Sequence, residues 1–284
     1  MTSYLLGLIG SGIGPSLSPP LYEREADQHG LRCLYRLIDI DRLGLPADAV
    51  GDLLRTARRL GFDGLNITHP CKQTVIRYLD ELSADAAILG AVNTVTFDGD
   101  RAIGHNTDWT GFADSFTRGL PGAPTRQVVQ LGAGGAGAAI AHALLTLGTE
   151  QVILHDAAPD KAESLAGELT NRFGAGRARH ADPPELAELL LKADGLVNVT
   201  PTGMAGHPGL PLSAALLHRG LWVADVVYRP LETPLLTHAR ALGCRTLDGG
   251  GMAVFQAAHA FRLFTGRTAD SERMLTHLTD LVTT

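Results

Sequence analysis

The glycine spacing between residues 132 and 137 is the feature of the chain with the most definite chemical meaning. Gly132, Gly134 and Gly137 fit the pattern Gly-x-Gly-x-x-Gly, after a β-branched run at 127–131 and before an apolar, alanine-rich segment. In such a pattern the first glycine allows a tight turn, the second lets the backbone approach a pyrophosphate, and the third lets helix pack on strand. The free N–H groups at the helix start then bind phosphate. This context predicts a dinucleotide-binding turn.

An acidic residue ends the strand predicted at 152–156. Asp156 lies 19 residues after Gly137, close to the spacing at which a carboxylate holds the ribose hydroxyls of NAD. The same charge would repel the 2′-phosphate of NADP, and alanines rather than an arginine follow it, with Lys161 as the nearest cation. A second interpretation, that Asp156 caps the next helix, is compatible with the first. The sequence therefore predicts NAD as the cofactor.

Polar side chains cluster where the predicted strands of the first half end. Two hydroxyls, Ser16 and Ser18, precede a predicted helix, where they cap the helix or bind a carboxylate. A single polar loop residue is usually a turn former, but four such clusters at successive strand ends favour a ligand site, because open α/β sheets bind ligands there. The other three clusters lie at 66–72, 92–94 and 105–108.

Composition and charge are typical of a soluble globular chain with about two domains. The 284 residues are 45% hydrophobic and 19% charged, and the net charge of −6 gives no basic surface for nucleic acid or an anionic membrane. Three widely spaced cysteines fit a reducing compartment, and no leader or membrane-spanning run is visible, so we expect a cytoplasmic protein. No Cys-x-x-Cys or His-Glu-x-x-His pattern occurs, so no metal site is predicted.

The order of apolar and amphipathic segments predicts an α/β fold. In the first half, strands alternate with helices as in a parallel sheet, and two strands flanking Asp98-Gly99-Asp100 predict a hairpin. A linking helix at 109–118 and a glycine- and proline-rich boundary at 119–125 precede the dinucleotide-binding half. The other predicted strands are 4–9, 33–39, 64–67, 91–97, 101–104, 195–198, 221–227 and 244–247, and the other predicted helices are 19–29, 47–60, 252–264 and 270–282.

Seven short motifs span the whole chain: Ser-Leu-Ser-Pro at 16–19, Asn-Ile-Thr-His-Pro-Cys-Lys at 66–72, Gly-Ala-Val-Asn-Thr at 90–94, Asn-Thr-Asp at 106–108, Gly-Ala-Gly-Gly-Ala-Gly at 132–137, Asn-Val-Thr-Pro-Thr-Gly-Met at 198–204 and Asp-Gly-Gly-Gly-Met-Ala-Val-Phe-Gln at 248–256. In sequence and order they resemble the shikimate/quinate dehydrogenase family, and seven ordered matches are highly specific. Within that family the chain looks most like the actinobacterial NAD-dependent quinate/shikimate dehydrogenases.

The resemblance implies an α/β fold with two domains. An N-terminal α/β substrate domain with a mixed sheet is expected at 1–108, completed by C-terminal helices at 251–284. A Rossmann-like NAD-binding domain is expected at 109–250. The protein is expected to act on a small-molecule substrate as a monomer or homodimer.

The resemblance also implies hydride transfer between NAD and shikimate, quinate or both. An aminoshikimate-type dehydrogenase of secondary metabolism is an alternative. So is a regulator that senses quinate or shikimate without turnover, although the chain keeps the family's catalytic pair, Lys72 and Asp108, and shows no added DNA-binding segment. A folate-linked dehydrogenase is disfavoured by the two-serine motif. Quinate-using members tend to carry threonine at the second serine, so Ser18 favours shikimate.

The chemistry of the family's catalytic pair, Lys72 and Asp108, suits the reaction that the resemblance implies. Alcohol oxidation needs a base for the hydroxyl proton, and the reverse reaction needs an acid. Free lysine has a pKa of about 10.4 and is mostly an ammonium at neutral pH, which suits the reduction. Carried over from the family, the substrate-binding residues are Ser16, Ser18, Asn66, Thr68, Lys72, Asn93, Asp108, Tyr228 and Gln256. The cofactor-binding residues are Gly132, Gly134, Gly135, Ala136, Gly137, Asp156, Lys161, Thr200, Val226 and Gly249.

Overall fold

The computed structural model describes residues 2–283 and divides into two compact units. Unit 1 comprises the residues up to Thr107 together with those from Gln256 onward, and unit 2 is Asp108–Phe255. We expected the divisions after residues 108 and 250, so Asp108 and residues 251–255 fall in unit 2 instead. Asp108 is the first residue of a helix that contributes Phe112 and Phe116 to the unit 2 core. This packing explains why unit 2 begins at Asp108, one residue before the expected boundary.

Unit 1 is built on a mixed six-stranded sheet with the order β2-β1-β3-β5-β6-β4. β1 is parallel to β2 and β3, whereas β5 is antiparallel to both β3 and β6. The predicted hairpin is therefore present, with Gly99 in its turn at a φ of +56°. The strands are β1 (Ser3–Gly10), β2 (Arg32–Asp39), β3 (Gly64–Ile67), β4 (Glu81–Leu82), β5 (Thr94–Asp98) and β6 (Arg101–His105).

Unit 2 is built on a parallel six-stranded sheet with the order β12-β11-β10-β7-β8-β9. The chain runs outward from β7 in one direction and then returns to β10 on its other side. Ligands bind at such a change of direction, beyond the carboxyl ends of the strands. The mixed and parallel sheets confirm the predicted fold class. The strands are β7 (Gln127–Leu131), β8 (Gln151–His155), β9 (Ala178–His180), β10 (Gly195–Asn198), β11 (Trp222–Asp225) and β12 (Arg245–Leu247).

Eleven α-helices occur within residues 2–283, and none is long and apolar enough to cross a membrane. The helix predicted at 47–60 is interrupted, because its first turn is a separate 3₁₀ turn at Ala47–Ala49. The helices are α1 (Ser18–Gln28), α2 (Val50–Arg59), α3 (Cys71–Thr74), α4 (Ala84–Leu89), α5 (Asp108–Gly119), α6 (Gly135–Thr146), α7 (Pro159–Phe173), α8 (Leu186–Lys192), α9 (Pro234–Ala241), α10 (Gly249–Thr265) and α11 (Ser271–Thr283).

Each unit has its own apolar core, and each core fixes the strand ends that carry the candidate site. In unit 1, Val50, Leu54 and Ala57 lie on one face of α2 and are buried together with residues of β3 and β5. In unit 2, Ile140 and Leu144 of α6 are buried in the same core cluster as residues of β7 and β8. The helix after the glycine-rich turn is therefore held rigidly on the sheet.

Candidate functional site

A network of amides and hydroxyls in unit 1 links three of its distant segments. Asn93 precedes β5, Thr107 follows β6, and Gln256 lies in α10. The Oδ1 atom of Asn93 accepts the Thr107 N–H at 2.8 Å, and its Nδ2 donates to Thr107 Oγ1 at 2.9 Å and to Gln256 Oε1 at 3.2 Å. Since the Gln256 oxygen is an acceptor here, its amide orientation is set. Asn93 and Gln256, two predicted substrate residues, are thus brought together.

The amide of Asn66 is held by a buried tyrosine. In β3, its Oδ1 accepts the Tyr35 hydroxyl at 2.8 Å, and its Nδ2 donates to Thr94 Oγ1 at 3.1 Å. The Tyr35 ring packs against Tyr22 in a tilted arrangement, with centroids 4.9 Å apart. Burial raises the pKa of Tyr22 far above its ordinary value. Neither tyrosine was predicted as a site residue, because the only sequence signal of each is apolar periodicity.

The segment after β3 is anchored by its backbone at both ends. The N–H of Thr68 donates to Ile9 O at 2.9 Å, and the N–H of Val92 donates to Lys72 O at 2.9 Å. Gly10 leaves room for this segment, because a methyl group there would lie 2.3 Å from Thr68 Cγ2. Lys72, half-buried in α3, therefore projects from a fixed backbone.

Ser16 and Ser18 form a hydroxyl pair before α1. Their Oγ atoms lie 3.2 Å apart, and Ser16 Oγ also accepts the Ser18 N–H at 3.2 Å. Ser18 is the first residue of α1 and Leu17 occupies the cap position, so the expected cap by Ser18 is wrong. This helix start has no side-chain cap, and the proline that follows at 19 has no N–H to satisfy. Two adjacent hydroxyls beside a helix start suit a carboxylate ligand.

Two predicted substrate residues lie in unit 2. Asp108 is 2% exposed and begins α5, where a negative charge is stabilised by the helix dipole. Tyr228 is half-buried and follows β11.

The three glycines of the turn at 132–137 are constrained in different ways. Gly132 has a φ of +101°, and a methyl group there would lie 2.9 Å from the Val199 carbonyl. A methyl group on Gly137 would lie 2.4 Å from Gly132 O, whereas one on Gly134 would have no protein atom within 4 Å. α6 starts at Gly135 without a side-chain cap, so its first N–H groups, including that of Ala136, are available to an anion. The open approach at Gly134 fits a pyrophosphate.

Asp156 joins the end of β8 to this turn. Its Oδ2 accepts the Ala133 N–H at 2.8 Å, and its Oδ1 accepts the Ala158 N–H at 2.9 Å. Ala158, not Asp156, is the cap residue of α7, so the capping interpretation is wrong. Lys161 lies in the first turn of α7 with an exposed side chain.

Asn198, at the end of β10, holds Thr200 and Val226, and Gly249 lies against Val226. Asn198 Oδ1 accepts the Thr200 hydroxyl at 2.7 Å, and its backbone oxygen accepts the Val226 N–H at 3.0 Å. A methyl group on Gly249 would lie 2.3 Å from Val226 O, so α10 starts directly against this loop. Asn198 Nδ2 also donates to Asp225 Oδ1 at 3.0 Å. Neither Asn198 nor Asp225 was predicted as a site residue.

Asp225 is a buried acid beneath this loop. Burial raises the pKa of its carboxyl, while hydrogen bonds from the Val227 N–H, the Thr233 hydroxyl and the Asn198 amide oppose the rise. The Thr233 hydroxyl donates to Oδ2 at 2.8 Å. These bonds fix the backbone on both sides of Val226. Within residues 2–283, no group of three or more histidine, cysteine or acidic side chains is placed to hold a metal ion.

Comparison with known proteins finds two family models that match parts of this chain and several proteins that are similar to it. Residues 8–95 match the model for a shikimate dehydrogenase substrate binding domain, and residues 249–278 match a shikimate 5′-dehydrogenase C-terminal domain. The shikimate dehydrogenase (NADP(+)) of Streptomyces avermitilis is 68% identical over 99% of this chain and 97% of its own length.

Two Corynebacterium proteins are also similar. The quinate/shikimate dehydrogenase (NAD(+)) of Corynebacterium efficiens is 49% identical over 96% of each chain. The structure of quinate dehydrogenase from Corynebacterium glutamicum in complex with NAD matches with a TM-score of 0.92 and 45% identity, covering 99% of this chain and 100% of that one. The relatives thus agree on a pyridine nucleotide but differ between NAD and NADP.

Proposed function

Because the chain belongs to the shikimate dehydrogenase family, we propose that it is a dehydrogenase that interconverts shikimate and 3-dehydroshikimate and, less efficiently, quinate and 3-dehydroquinate. The observation that carries the proposal is the network of Asn93, Thr107 and Gln256 in unit 1. A ring with several hydroxyls needs directional donors and acceptors, and amides that bond to one another keep their orientation before the ligand arrives.

The substrate carboxylate is proposed to bind Ser16 and Ser18, whose hydroxyls lie 3.2 Å apart. The ring hydroxyls are proposed to form hydrogen bonds with Asn66, Thr68, Asn93 and Gln256. Quinate carries an additional hydroxyl on the carbon that bears the carboxylate, so the residues nearest that carbon decide between the two acids. A single lost or added hydroxyl contact in a polar site changes the free-energy difference between two competing substrates by several kcal/mol.

Lys72 and Asp108 are the proposed proton-transfer groups. In the reduction, the Lys72 ammonium donates the proton that the developing alkoxide takes up. In the oxidation, a neutral Lys72 amine or the Asp108 carboxylate accepts the hydroxyl proton. Asp108 also hydrogen-bonds the reacting hydroxyl and orients it.

We propose that unit 2 binds NAD in preference to NADP. The N–H groups at the start of α6 would hold the pyrophosphate, Asp156 the adenosine ribose, and the loops at Thr200 and Val226 the nicotinamide end. When bound, the nicotinamide supplies the acceptor or donor of hydride. The preference is supported by the negative charge of Asp156 and by the alanines that follow it.

The test is initial-rate kinetics with shikimate, quinate and aminoshikimate, each with NAD and with NADP. We expect the highest kcat/KM for shikimate with NAD, and measurable turnover of quinate. Preferential turnover of aminoshikimate would replace the proposal with the secondary-metabolism alternative. Binding of shikimate without turnover under any condition would indicate a sensor instead.

A further inference from the structure

Gln130 is a fully buried amide in a strand that is otherwise apolar at its carboxyl end. It is 0% exposed, between Val129 at 0% and Leu131 at 2%. A buried amide destabilises a protein unless its polar atoms find partners. The position of Gln130 therefore requires an explanation other than core packing.

The amide nitrogen of Gln130 bridges the two ends of the glycine-rich turn. Nε2 donates to Gly132 O at 2.9 Å and to Gly137 O at 2.9 Å. Both partners are carbonyl oxygens, so only the N–H side of the amide can face them. The Oε1 atom has no hydrogen-bond partner among residues 2–283.

The bridge is closely fitted to this turn. A methyl group on Gly137 would lie 3.2 Å from Gln130 Nε2 and 2.4 Å from Gly132 O, so the amide fills the space that the third glycine leaves. Glycine-rich backbone is intrinsically mobile. A donor that ties the residue after β7 to the first turn of α6 restricts the segment between them, which contains Gly134 and Gly135.

We propose that Gln130 is a positioning residue for the cofactor pyrophosphate. By tying Gly132 to Gly137 it holds the N–H groups at the start of α6 in the geometry that binds the phosphates, and so reduces the ordering cost of binding. This inference rests on the proposed dinucleotide site of unit 2. An apolar side chain of the same length removes the unpaired Oε1 together with the Nε2 donor to two carbonyls, so its two effects on stability oppose each other, whereas the turn loses its tie.

The test compares Gln130→Met with Gln127→Met, at the opposite end of the same strand, where Gln127 Nε2 donates to Gln151 Oε1 at 3.1 Å. Calorimetric titration with ADP-ribose and an NMR titration with adenosine, which has no phosphates, separate the two parts of the ligand. We expect Q130M to weaken ADP-ribose binding about 10-fold, or about 1.4 kcal/mol, without change in adenosine affinity, melting temperature or shikimate KM. Q127M should bind both ligands like the unmodified protein.

A second variant keeps the inference testable if Q130M folds poorly. In Gln130→Glu, a protonated carboxyl donates to one of the two carbonyls, whereas an ionised carboxylate repels both. The ADP-ribose affinity of Q130E should therefore fall, relative to the unmodified protein, as the pH rises through the titration of that carboxyl. Unchanged ADP-ribose binding in Q130M, or equal losses for adenosine and ADP-ribose, would overturn the inference. Failure of the unmodified protein to bind ADP-ribose would refute the proposed cofactor site itself.

Discussion

The candidate sites of the two units consist of different chemical groups. In unit 1 the site consists of side chains that hydrogen-bond to one another, such as Asn66 with Tyr35 and Asn93 with Gln256. In unit 2 it consists largely of backbone, with glycines that leave space and a helix start that offers N–H groups. Side-chain amides discriminate among hydroxyl patterns, whereas backbone amides bind a phosphate that all dinucleotides share.

This difference has a consequence for mutagenesis. Unit 1 should be sensitive to removal of atoms, because each removed group leaves a partner unpaired. The glycine-rich turn of unit 2 should instead be sensitive to added atoms, because its glycines leave the approach to the backbone open.

The largest effect is expected on removing the proposed acid in unit 1. Lys72→Ala should lower kcat by about 100-fold or more, the scale of a general acid–base group, while cofactor binding stays unchanged. Steady-state kinetics and NADH titration would measure both. Lys192→Ala is the matched control, since Lys192 lies exposed in α8 beside Glu188. A near-normal kcat in a folded Lys72→Ala protein would refute the assignment.

The sensitivity of unit 2 to added atoms is tested by Gly134→Val. Its φ of −78° suits any residue and no protein atom lies within 4 Å of the new Cβ, so stability should change by less than about 1 kcal/mol. Dinucleotide affinity should fall by more than about 10-fold, because the branched side chain occupies the approach to the turn. Calorimetry with ADP-ribose and thermal unfolding measure the two quantities.

The control is Gly167→Ala in α7, where a Cβ is equally unobstructed but no ligand is expected. It should raise stability by about 0.5–1 kcal/mol, as replacement of a helical glycine does, and leave binding unchanged. If Gly134→Val binds normally, the turn does not contact the phosphates.

Cofactor choice should depend on one side chain in unit 2. We expect kcat/KM to favour NAD over NADP by at least about 10-fold, equivalent to 1.4 kcal/mol. Asp156→Ser combined with Ala157→Arg should shift this ratio toward NADP, because it removes a repulsion and adds a phosphate partner. Asp160→Ser, on the exposed first turn of α7, controls for a general charge effect. Equal efficiency with both cofactors in the unmodified protein would contradict the account.

The smallest effect is expected where one hydrogen bond behind the unit 1 site is lost. Tyr35→Phe removes the hydroxyl that donates to Asn66 Oδ1, and a loss near 1 kcal/mol predicts an increase in shikimate KM of about 5-fold. The cofactor KM should not change. Tyr4→Phe loses a weaker bond to Thr265 O at 3.4 Å and should leave both constants unchanged. A larger effect on the cofactor than on shikimate would reverse the comparison between the units.

Several strands and helices were predictable from the sequence. β3 and β10 have the predicted bounds, and α1, α5 and α11 differ by one or two residues. β4 and β9 were missed because two or three residues are too few to show a period. The helix starts were less predictable, since neither Ser18 nor Asp156 is the cap residue that we expected.

The sequence by itself determined which residues were candidates for the site, because motif spacing along a strand–turn–helix unit is a local property. It determined the glycine turn, the acid after β8 and the polar strand ends. Only the tertiary structure decided how the candidates are held. Asn93 and Gln256 are 163 residues apart, and the roles of Tyr35 and Gln130 depend on which atoms the folded chain places 2.8–2.9 Å away. Hydrogen-bond geometry between distant segments is set by packing, and no local pattern encodes it.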